Sequence, residues 1–213
     1  MIEAYVWTTG NNRKVLIMLE ETGLPYRVHP VNIHEGAQFA PDYGVISPNH
    51  KTPAIVDTDG PGGAPMPLFE SGAILHYLAE KTGRFLPEDG EPRYRVIEWL
   101  MWQMGGIGPM FGQVNHFMAR KEDPAMGYAL ERYHKESLRL LRVLDDRLEG
   151  RDYIAGDYSI ADMATFPWCQ GTDWRAEALP ECPNVRRWME RIAERPAVER
   201  AQAVTAELRK SAA

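Results

Sequence analysis

Residues 49–56 read NHKTPAIV and residues 68–74 read LFESGAI, and these two stretches, together termed the ledge, decide how the chain is interpreted. Pro53 precedes a short apolar run, and a proline that begins a strand has no N–H for the ladder, so it tends to lie at an edge or in a turn. Glu70 and Ser71 precede apolar residues at helical spacing, which indicates a strand that runs into the start of a helix. The two stretches therefore predict a row of polar groups at one sheet edge.

The ledge suits the head group of an amino acid. Unpaired N–H groups and positive potential at a helix N-terminus favour a carboxylate, and an ionised Glu70 would bind an ammonium group. The alternative is that Ser71 only caps a helix and that Pro53 only shapes a turn. Considered alone, Ser71 is better explained as a cap and Pro53 as a turn residue. Their occurrence together favours a binding site.

Strand-like and helix-like segments alternate up to residue 83, which predicts an α/β domain over residues 1–83. Their order, βαβ(α)ββα, indicates a small mixed sheet packed between helices. A Gly/Pro-rich turn at residues 60–63 separates the last two strands. The predicted elements are strand 2–7, helix 14–22, strand 26–33, a short irregular helix within 38–45, strands 54–56 and 66–69, and helix 71–82.

Only helical periodicity follows a predicted linker at residues 84–91, so residues 92–213 are expected to form an all-α domain. The run Gly105-Gly106-Ile107-Gly108-Pro109 is expected to interrupt or kink a helix. Ser159 and Asp162 have the spacing of a capping box, in which each side chain bonds the backbone N–H near the other. Helices are predicted over residues 94–103, 110–118 and 125–149, around Trp188, and from Pro196 to about Leu208.

The composition is that of an ordinary globular chain: 213 residues, a net charge of −6, 44% hydrophobic and 25% charged residues. An acidic balance without a basic stripe argues against nucleic acid as a partner. No apolar run approaches the roughly 18 residues that a membrane span needs, and the first residues lack a signal-peptide pattern. We therefore expect a cytoplasmic protein with no membrane partner.

Cys169 and Cys182 are the only cysteines, and neither belongs to a C-x-x-C pair or to a His/Cys metal-binding spacing. These spacings argue against a disulfide framework and against a metal site. Cys169 follows Phe166, Pro167 and Trp168, so its thiol is expected to be buried and unreactive.

An α/β domain with this ledge, followed by an all-α domain with this capping box, resembles the glutathione transferase superfamily over nearly the whole chain. Several stretches are similar to the bacterial Nu-class enzymes, which are relatives of the yeast nitrogen-regulating prion protein: residues 38–39, 46–49, 51, 53–57, 68–74 and 102–110. The resemblance implies a thioredoxin-like first domain and a homodimer. It also implies that the chain binds glutathione or glutathione disulfide and reduces disulfide bonds.

The reacting sulfur would come from the ligand. Residues 7–14 read WTTGNNRK, where thioredoxins carry a C-x-x-C pair, and this chain has no thiol there. The resemblance implies that Asn11, and after it Thr9, donate hydrogen bonds to the sulfur of bound glutathione beside a helix N-terminus. The alternative is that Asn11 caps the helix and Thr9 is a turn residue. Tyr5 lies within the first strand and is interpreted as a packing residue.

The resemblance also implies how the rest of the tripeptide is held. Thr52, beside Pro53, would pair its backbone with the cysteinyl backbone of glutathione, as an antiparallel strand does. Gln38 and Lys51 would bind the glycyl carboxylate. An isolated Lys51 would otherwise be read as an ordinary surface charge.

At the other end of the tripeptide, Glu70 and Ser71 would hold the γ-glutamyl group. Arg132, contributed by a partner subunit, would bind a second glutathione in the dimer cleft, although its helix could equally present a solvated charged face. The resemblance also implies that the Asn-His-Phe segment at residues 115–117 lines the second-substrate cleft, with His116 as a possible lining residue.

The predicted function is therefore that of a glutathione-dependent disulfide-bond oxidoreductase without a protein cysteine. Two alternatives stay open. The same thiolate could serve a glutathione S-transferase or peroxidase acting on electrophiles, which Met101, Met110 and Phe111 would favour as apolar cleft residues. A non-catalytic regulatory role is the third interpretation, because this fold also serves regulation in the yeast relative.

Overall fold

The computed structural model describes residues 1–171 and 173–210, which form two compact units. The first unit comprises Met1–Leu86 together with the C-terminal segment that starts at Ala193. The second comprises Pro87–Ile192.

The first unit contains a four-stranded mixed sheet. Its strands are β1 (Ile2–Val6), β2 (Tyr26–Pro30), β3 (Ala54–Asp57) and β4 (Met66–Phe69), in the order β2-β1-β3-β4. Strands β1 and β2 are parallel, and β3 is antiparallel to both β1 and β4. The helices that accompany the sheet are α1 (Gly10–Thr22), α2 (Pro41–Ile46) and α3 (Ser71–Thr82). This confirms the predicted βαβ(α)ββα order and the α/β class.

Burial explains why these segments fold as they do. Alternate residues of β1 are buried, as a strand with one covered face requires. The apolar run Val15–Leu19 of α1 is fully buried. Gly23 ends α1 at φ 70°, a left-handed conformation that glycine adopts without a Cβ clash, and its N–H bonds the carbonyl oxygen of Leu19 at 3.0 Å.

The second unit is helical. Its helices are α4 (Gly90–Trp102), α5 (Gly108–Met118), α6 (Gly127–Leu148), α7 (Ile160–Cys169), α8 (Trp174–Ala178) and α9 (Pro183–Ala193). The five-residue α8 was not predicted, because so short a segment shows no apolar period. None of the helices among residues 1–171 and 173–210 combines the length and the apolar character that a membrane crossing demands.

The glycine-rich run was expected to interrupt or kink a helix, and it interrupts the α-helical pattern without ending the helical path of the backbone. The backbone stays helical between α4 and α5 and widens into a π-helical turn over Gln103–Ile107. A π turn inserts one extra residue without ending a helix. A Cβ on Gly106 would lie 3.4 Å from a Leu140 methyl group of α6, which is an ordinary van der Waals contact, so packing against α6 does not by itself require glycine there.

The capping box at the start of α7 is confirmed. Asp162 is fully buried and accepts hydrogen bonds from the backbone N–H of Ser159 at 3.0 Å and from that of Ile154 at 3.0 Å. The indole N–H of Trp188, on α9, donates to the same carboxylate at 2.8 Å. One side chain therefore joins α7, α9 and the preceding loop.

The last helix, α10 (Pro196–Lys210), packs against α1 of the first unit. Two ion pairs accompany this contact: Arg195 Nε lies 2.5 Å from Glu21, and Arg200 Nε lies 2.6 Å from Glu20. The sequence assigned residues 92–213 to one helical domain, whereas the contacts of α10 place it with the first unit. Helical periodicity identifies a helix but does not say which surface it covers.

Candidate functional site

A cleft of about 150 Å³ in the first unit brings most of the predicted site residues together. It lies where the ledge meets the start of α1, and the Thr52–Pro53 peptide bond within it is cis. Two of its residues, Asn49 and Phe69, had been given no role from the sequence. The cleft is lined by Asn11, Asn49, Lys51, Thr52, Pro53, Phe69, Glu70 and Ser71.

The ledge lies at the start of an inner strand, so its predicted place at a sheet edge was wrong. Strand β3, which follows Pro53, pairs with β1 on one side and β4 on the other. Pro53 is tolerated because it precedes the first paired residue of the strand. The edge strand is β4, and Pro67 lies within it, where a missing N–H costs least.

The start of α3 forms one end of the cleft. Helix α3 begins at Ser71, which is buried, and Glu70 precedes it at φ 71°, an unusual value for a residue with a Cβ. Ser71 and Glu70 line this end of the cleft, and the first N–H groups of a helix have no partners within the helix. Ser71 Oγ accepts a hydrogen bond from Lys14 Nζ at 3.3 Å; the residue at the cap position is Glu70, so the alternative that Ser71 only caps the helix is wrong.

Asn12 joins the start of α1 to the ledge, and the sequence interpretation missed it. Its side chain is fully buried, and Nδ2 donates to Thr9 Oγ1 at 2.7 Å and to Thr52 Oγ1 at 3.0 Å. Because Thr9 Oγ1 accepts this bond, its own O–H is available to donate to a ligand. The available signal was that Asn12 lies three and four residues before Val15 and Leu16, on the buried face of α1.

Thr9 and Asn11 lie on either side of Gly10, the first residue of α1. The helix begins at Gly10, so Thr9 is the preceding residue and Asn11 lies inside the first turn. The side chain of Thr9 makes no capping bond to the helix backbone, because its oxygen is bonded to Asn12. The alternative role of Asn11 as the helix cap is therefore wrong, and its side chain lines the cleft.

Lys51 and Gln38 are placed differently. Lys51 is exposed and lines the cleft, and its carbonyl oxygen accepts hydrogen bonds from Tyr43 Oη at 2.6 Å and Ser47 Oγ at 2.9 Å. Gln38 lies in the 3-10 turn Ala37–Phe39 and is not one of the residues that line the cleft. Its amide oxygen is buried and has no hydrogen-bond partner within residues 1–171 and 173–210.

His50 connects the turn of Gln38 to the ledge. Its Nδ1 lies 2.9 Å from the carbonyl oxygen of Gln38, and its ring lies over Phe39 with 5.8 Å between the ring centroids. The backbone of His50 has φ 51°, in the left-handed region that side chains with a Cβ rarely adopt. The imidazole contacts therefore hold a backbone conformation that is unfavourable by itself.

We expect His50→Gly to be more stable than His50→Ala, although glycine usually destabilises. Both variants lose the imidazole bond to Gln38, but only alanine keeps a Cβ at φ 51°. The difference in free energy of unfolding should be about 0.5 to 1 kcal/mol once the larger unfolded-state entropy of glycine is subtracted. Urea unfolding of the two variants measures it, and an alanine variant as stable as the glycine variant would contradict the strain.

Arg132 lies in the second unit, is exposed on α6 and is not one of the residues that line the cleft. It lines a larger cavity, of about 790 Å³, together with charged residues of the same helix, among them Glu131, Lys135 and Arg139. Met110 also lines this cavity. His116, on α5, is exposed and lies within 3.3 Å of Arg120.

The three residues proposed as an apolar cleft do not share one surface. Phe111 is fully buried, whereas Met101 is 54% exposed on α4. Only Met110 lines the 790 Å³ cavity. Residue type alone did not separate a core aromatic residue from one that contacts a ligand.

Tyr5 and the two cysteines lie outside the cleft lining. The ring of Tyr5 stacks on His29 with 4.6 Å between centroids, which agrees with a packing role. Cys169 and Cys182 are both buried, and both are free cysteines rather than partners in a disulfide. Burial raises the pKa of the Cys169 thiol to about 12, so this sulfur stays protonated at neutral pH.

Two family models match the chain. Residues 11–81 match the glutathione S-transferase N-terminal domain, and residues 111–196 match the glutathione S-transferase C-terminal domain. The chain is 46% identical over 203 residues to the disulfide-bond oxidoreductase YfcG of Escherichia coli (strain K12), which covers 94% of each protein.

Solved structures of glutathione transferases have a fold similar to that of this chain. The fold is similar to that of a glutathione transferase family member from Pseudomonas fluorescens pf-5 with two glutathione bound, with a TM-score of 0.90 and 48% identity over 94% of this chain and 91% of that one. It is also similar to a glutathione transferase from Pseudomonas putida with one glutathione disulfide bound per subunit, with a TM-score of 0.87 and 48% identity over 94% and 90% of the two chains. The resemblance read from the ledge and the capping box is confirmed, and the chain belongs to the glutathione S-transferase family.

Proposed function

We propose that the protein is a glutathione-dependent disulfide-bond oxidoreductase in which bound glutathione, rather than a protein cysteine, supplies the reacting sulfur. The observation that carries this proposal is the cleft at the start of α1, which is lined by Asn11 and Thr52 and contains no cysteine. The name of the Escherichia coli relative and the ligands of the two Pseudomonas structures support it.

The reaction consists of two thiol–disulfide exchanges. The thiolate of a first glutathione attacks one sulfur of the substrate disulfide, forms a mixed disulfide and releases the other sulfur as a thiolate. The thiolate of a second glutathione attacks the glutathione sulfur of that mixed disulfide and releases the second substrate thiolate. Two glutathione molecules are thereby oxidised to glutathione disulfide, and the substrate disulfide is reduced to two thiols once protons are taken up from water.

The protein's part is to bind glutathione and to stabilise its thiolate. The Thr9 hydroxyl, oriented by Asn12, and the Asn11 side chain donate to the sulfur. The Thr52 backbone, beside Pro53, pairs with the cysteinyl residue. Lys51 and Gln38 bind the glycyl carboxylate, while Glu70 and Ser71 bind the γ-glutamyl group.

The active assembly we propose is a cytoplasmic homodimer. In it, Arg132 of one subunit binds the second glutathione. A guanidinium group suits a carboxylate because it can form two parallel hydrogen bonds, and Arg132 is exposed on α6. Light scattering of the purified protein should give the mass of two chains, and Arg132→Ala should weaken the binding of the second glutathione but not of the first.

We expect the protein to catalyse reduction of a small mixed disulfide by glutathione, with a rate well above the uncatalysed exchange. An aryl halide and a hydroperoxide, assayed in parallel, should turn over more slowly. If the aryl halide or the hydroperoxide turned over faster than the disulfide, the protein would instead be a transferase or a peroxidase.

The matched control is the double variant Cys169→Ala/Cys182→Ala, which should keep full activity because both thiols are buried and lie outside the cleft. A folded double variant without activity would contradict the proposal. If neither glutathione nor glutathione disulfide binds at millimolar concentration, the enzymatic role itself is wrong.

A further inference from the structure

Lys14 is a buried cation behind the γ-glutamyl end of the cleft. It lies on α1, three residues after Asn11, and its side chain is among the largest that are fully buried. Lysine is almost never fully buried without a partner, because removing an ammonium group from water is costly. Its Nζ lies 3.3 Å from Ser71 Oγ, at the first residue of α3.

Burial and a neighbouring carboxylate have opposite effects on the pKa of Lys14. Burial lowers the pKa of its ammonium group to about 7, and Glu70 opposes this by favouring the charged form. Acidic groups on α1 itself and on strands β1 and β3 are engaged elsewhere: Glu20 with Arg200, Glu21 with Arg195, Asp57 with Lys81, and Glu3 with His29. Glu70 is exposed at the cleft, where a ligand can contact it.

We propose that Lys14 is a positioning residue for the γ-glutamyl end of glutathione: it orients Ser71 and supplies the positive charge that an α-carboxylate at the start of α3 requires. The proposal rests on the function proposed above and extends it to a residue behind the cleft. Lys14 Nζ donates to Ser71 Oγ at 3.3 Å and so holds this hydroxyl at the end of the cleft where the carboxylate would bind. The first N–H groups of α3 complete the set of donors.

Binding of the carboxylate should therefore be linked to uptake of a proton. In the free protein Lys14 has Glu70 as its counter-charge, and Glu70 is engaged by the ligand ammonium group once the γ-glutamyl group binds. The ligand carboxylate then favours the charged form of Lys14. A group with a pKa of about 7 is largely deprotonated at pH 7.5, so binding at that pH should take up about half a proton or more per site.

Calorimetric titration with S-methylglutathione tests the proposal, because this ligand has no thiol whose ionisation would release a proton. The binding enthalpy, measured at pH 7.5 in buffers of different ionisation enthalpy, gives the number of protons exchanged. We expect uptake by the unmodified protein, and Lys14→Met should abolish the uptake and weaken binding about 10- to 100-fold. Lys51→Met is the matched control: it removes a lysine from the other end of the cleft and should weaken binding while leaving the proton uptake intact.

A second ligand shows whether Lys14 acts on the carboxylate. S-methylglutathione whose γ-glutamyl α-carboxylate is converted to an amide should bind weakly to the unmodified protein and equally weakly to Lys14→Met. Equal losses with both ligands, uptake that persists in the variant, or binding by the unmodified protein without proton exchange would each overturn the proposal.

The measurement on the unmodified protein stands even if Lys14→Met does not fold. Failure of the unmodified protein to bind S-methylglutathione at all would instead show that the proposed function is wrong. Binding without proton uptake would contradict only the role of Lys14.

Discussion

Asn11→Ala is expected to lower kcat/KM for glutathione-dependent disulfide reduction by about 100-fold. A hydrogen bond to a charged acceptor contributes about 1.5 to 3 kcal/mol, and 2.7 kcal/mol corresponds to about two units in the pKa of the thiol. A free thiol with a pKa of about 8.5 is only a few per cent ionised at pH 7. The helix N-terminus alone supplies about 0.3 to 1 kcal/mol, so side-chain donors such as Asn11 are needed.

The pH dependence of the rate identifies the cause of this loss. If Asn11 stabilises the thiolate, its removal raises the pKa of the bound thiol, and the rising limb of kcat/KM against pH moves to higher pH by up to about two units. Activity in Asn11→Ala should then recover at alkaline pH. A loss of equal size at every pH would indicate misplaced substrate instead.

Thr9 provides the matched pair for this experiment. Thr9→Ser keeps the hydroxyl that accepts from Asn12 and donates to the sulfur, so its activity should stay close to that of the unmodified protein. Thr9→Ala removes the donor and also leaves Asn12 with one acceptor fewer in a buried position. Unchanged turnover in both Asn11→Ala and Thr9→Ala would rule out the proposed roles of these residues.

The parts of the fold that could be predicted are those set by local periodicity. Alternating burial in β1 and the apolar run of α1 are visible in the sequence, and the order βαβ(α)ββα follows from them. The packing of α10 on α1 could not be predicted, because its ion pairs join residues 174 and 180 positions apart.

The site residues also fall into two groups: those that the local sequence marks, and those whose role depends on contacts with distant residues. Glu70, Ser71 and the residues around Pro53 are adjacent to strand and helix boundaries that the sequence marks, and the structure places them in one cleft. Asn12 and Lys14 act through contacts with Thr52 and Ser71, which are 40 and 57 residues away. In the sequence Asn12 precedes the predicted helix 14–22 and Lys14 begins it, and only the packing of α1 against the ledge gives them a role.

Asp162→Ala is expected to be the most destabilising single substitution considered, with a loss of about 3 to 5 kcal/mol in the free energy of unfolding. The carboxylate accepts from the backbone of Ile154 and Ser159, from the Ser159 hydroxyl and from the Trp188 indole, all in a buried environment. Each buried donor left without an acceptor costs about 1 to 3 kcal/mol, and their sum is limited by relaxation of the loop. Because typical domains are stable by only about 5 to 15 kcal/mol, such a loss removes a large part of the total.

The control for this prediction is Ser159→Ala, which removes the side-chain cap of α7 but leaves the Asp162 carboxylate with its two backbone donors and Trp188. Loss of a serine cap costs about 1 kcal/mol, so the two variants should differ by at least about 2 kcal/mol. Urea unfolding followed by the summed fluorescence of the six tryptophans, or by far-UV circular dichroism, measures both. If Asp162→Ala unfolds at the same urea concentration as Ser159→Ala, the capping hydrogen bond accounts for the whole effect, and Asp162 does not join α7 to α9 as its contacts indicate.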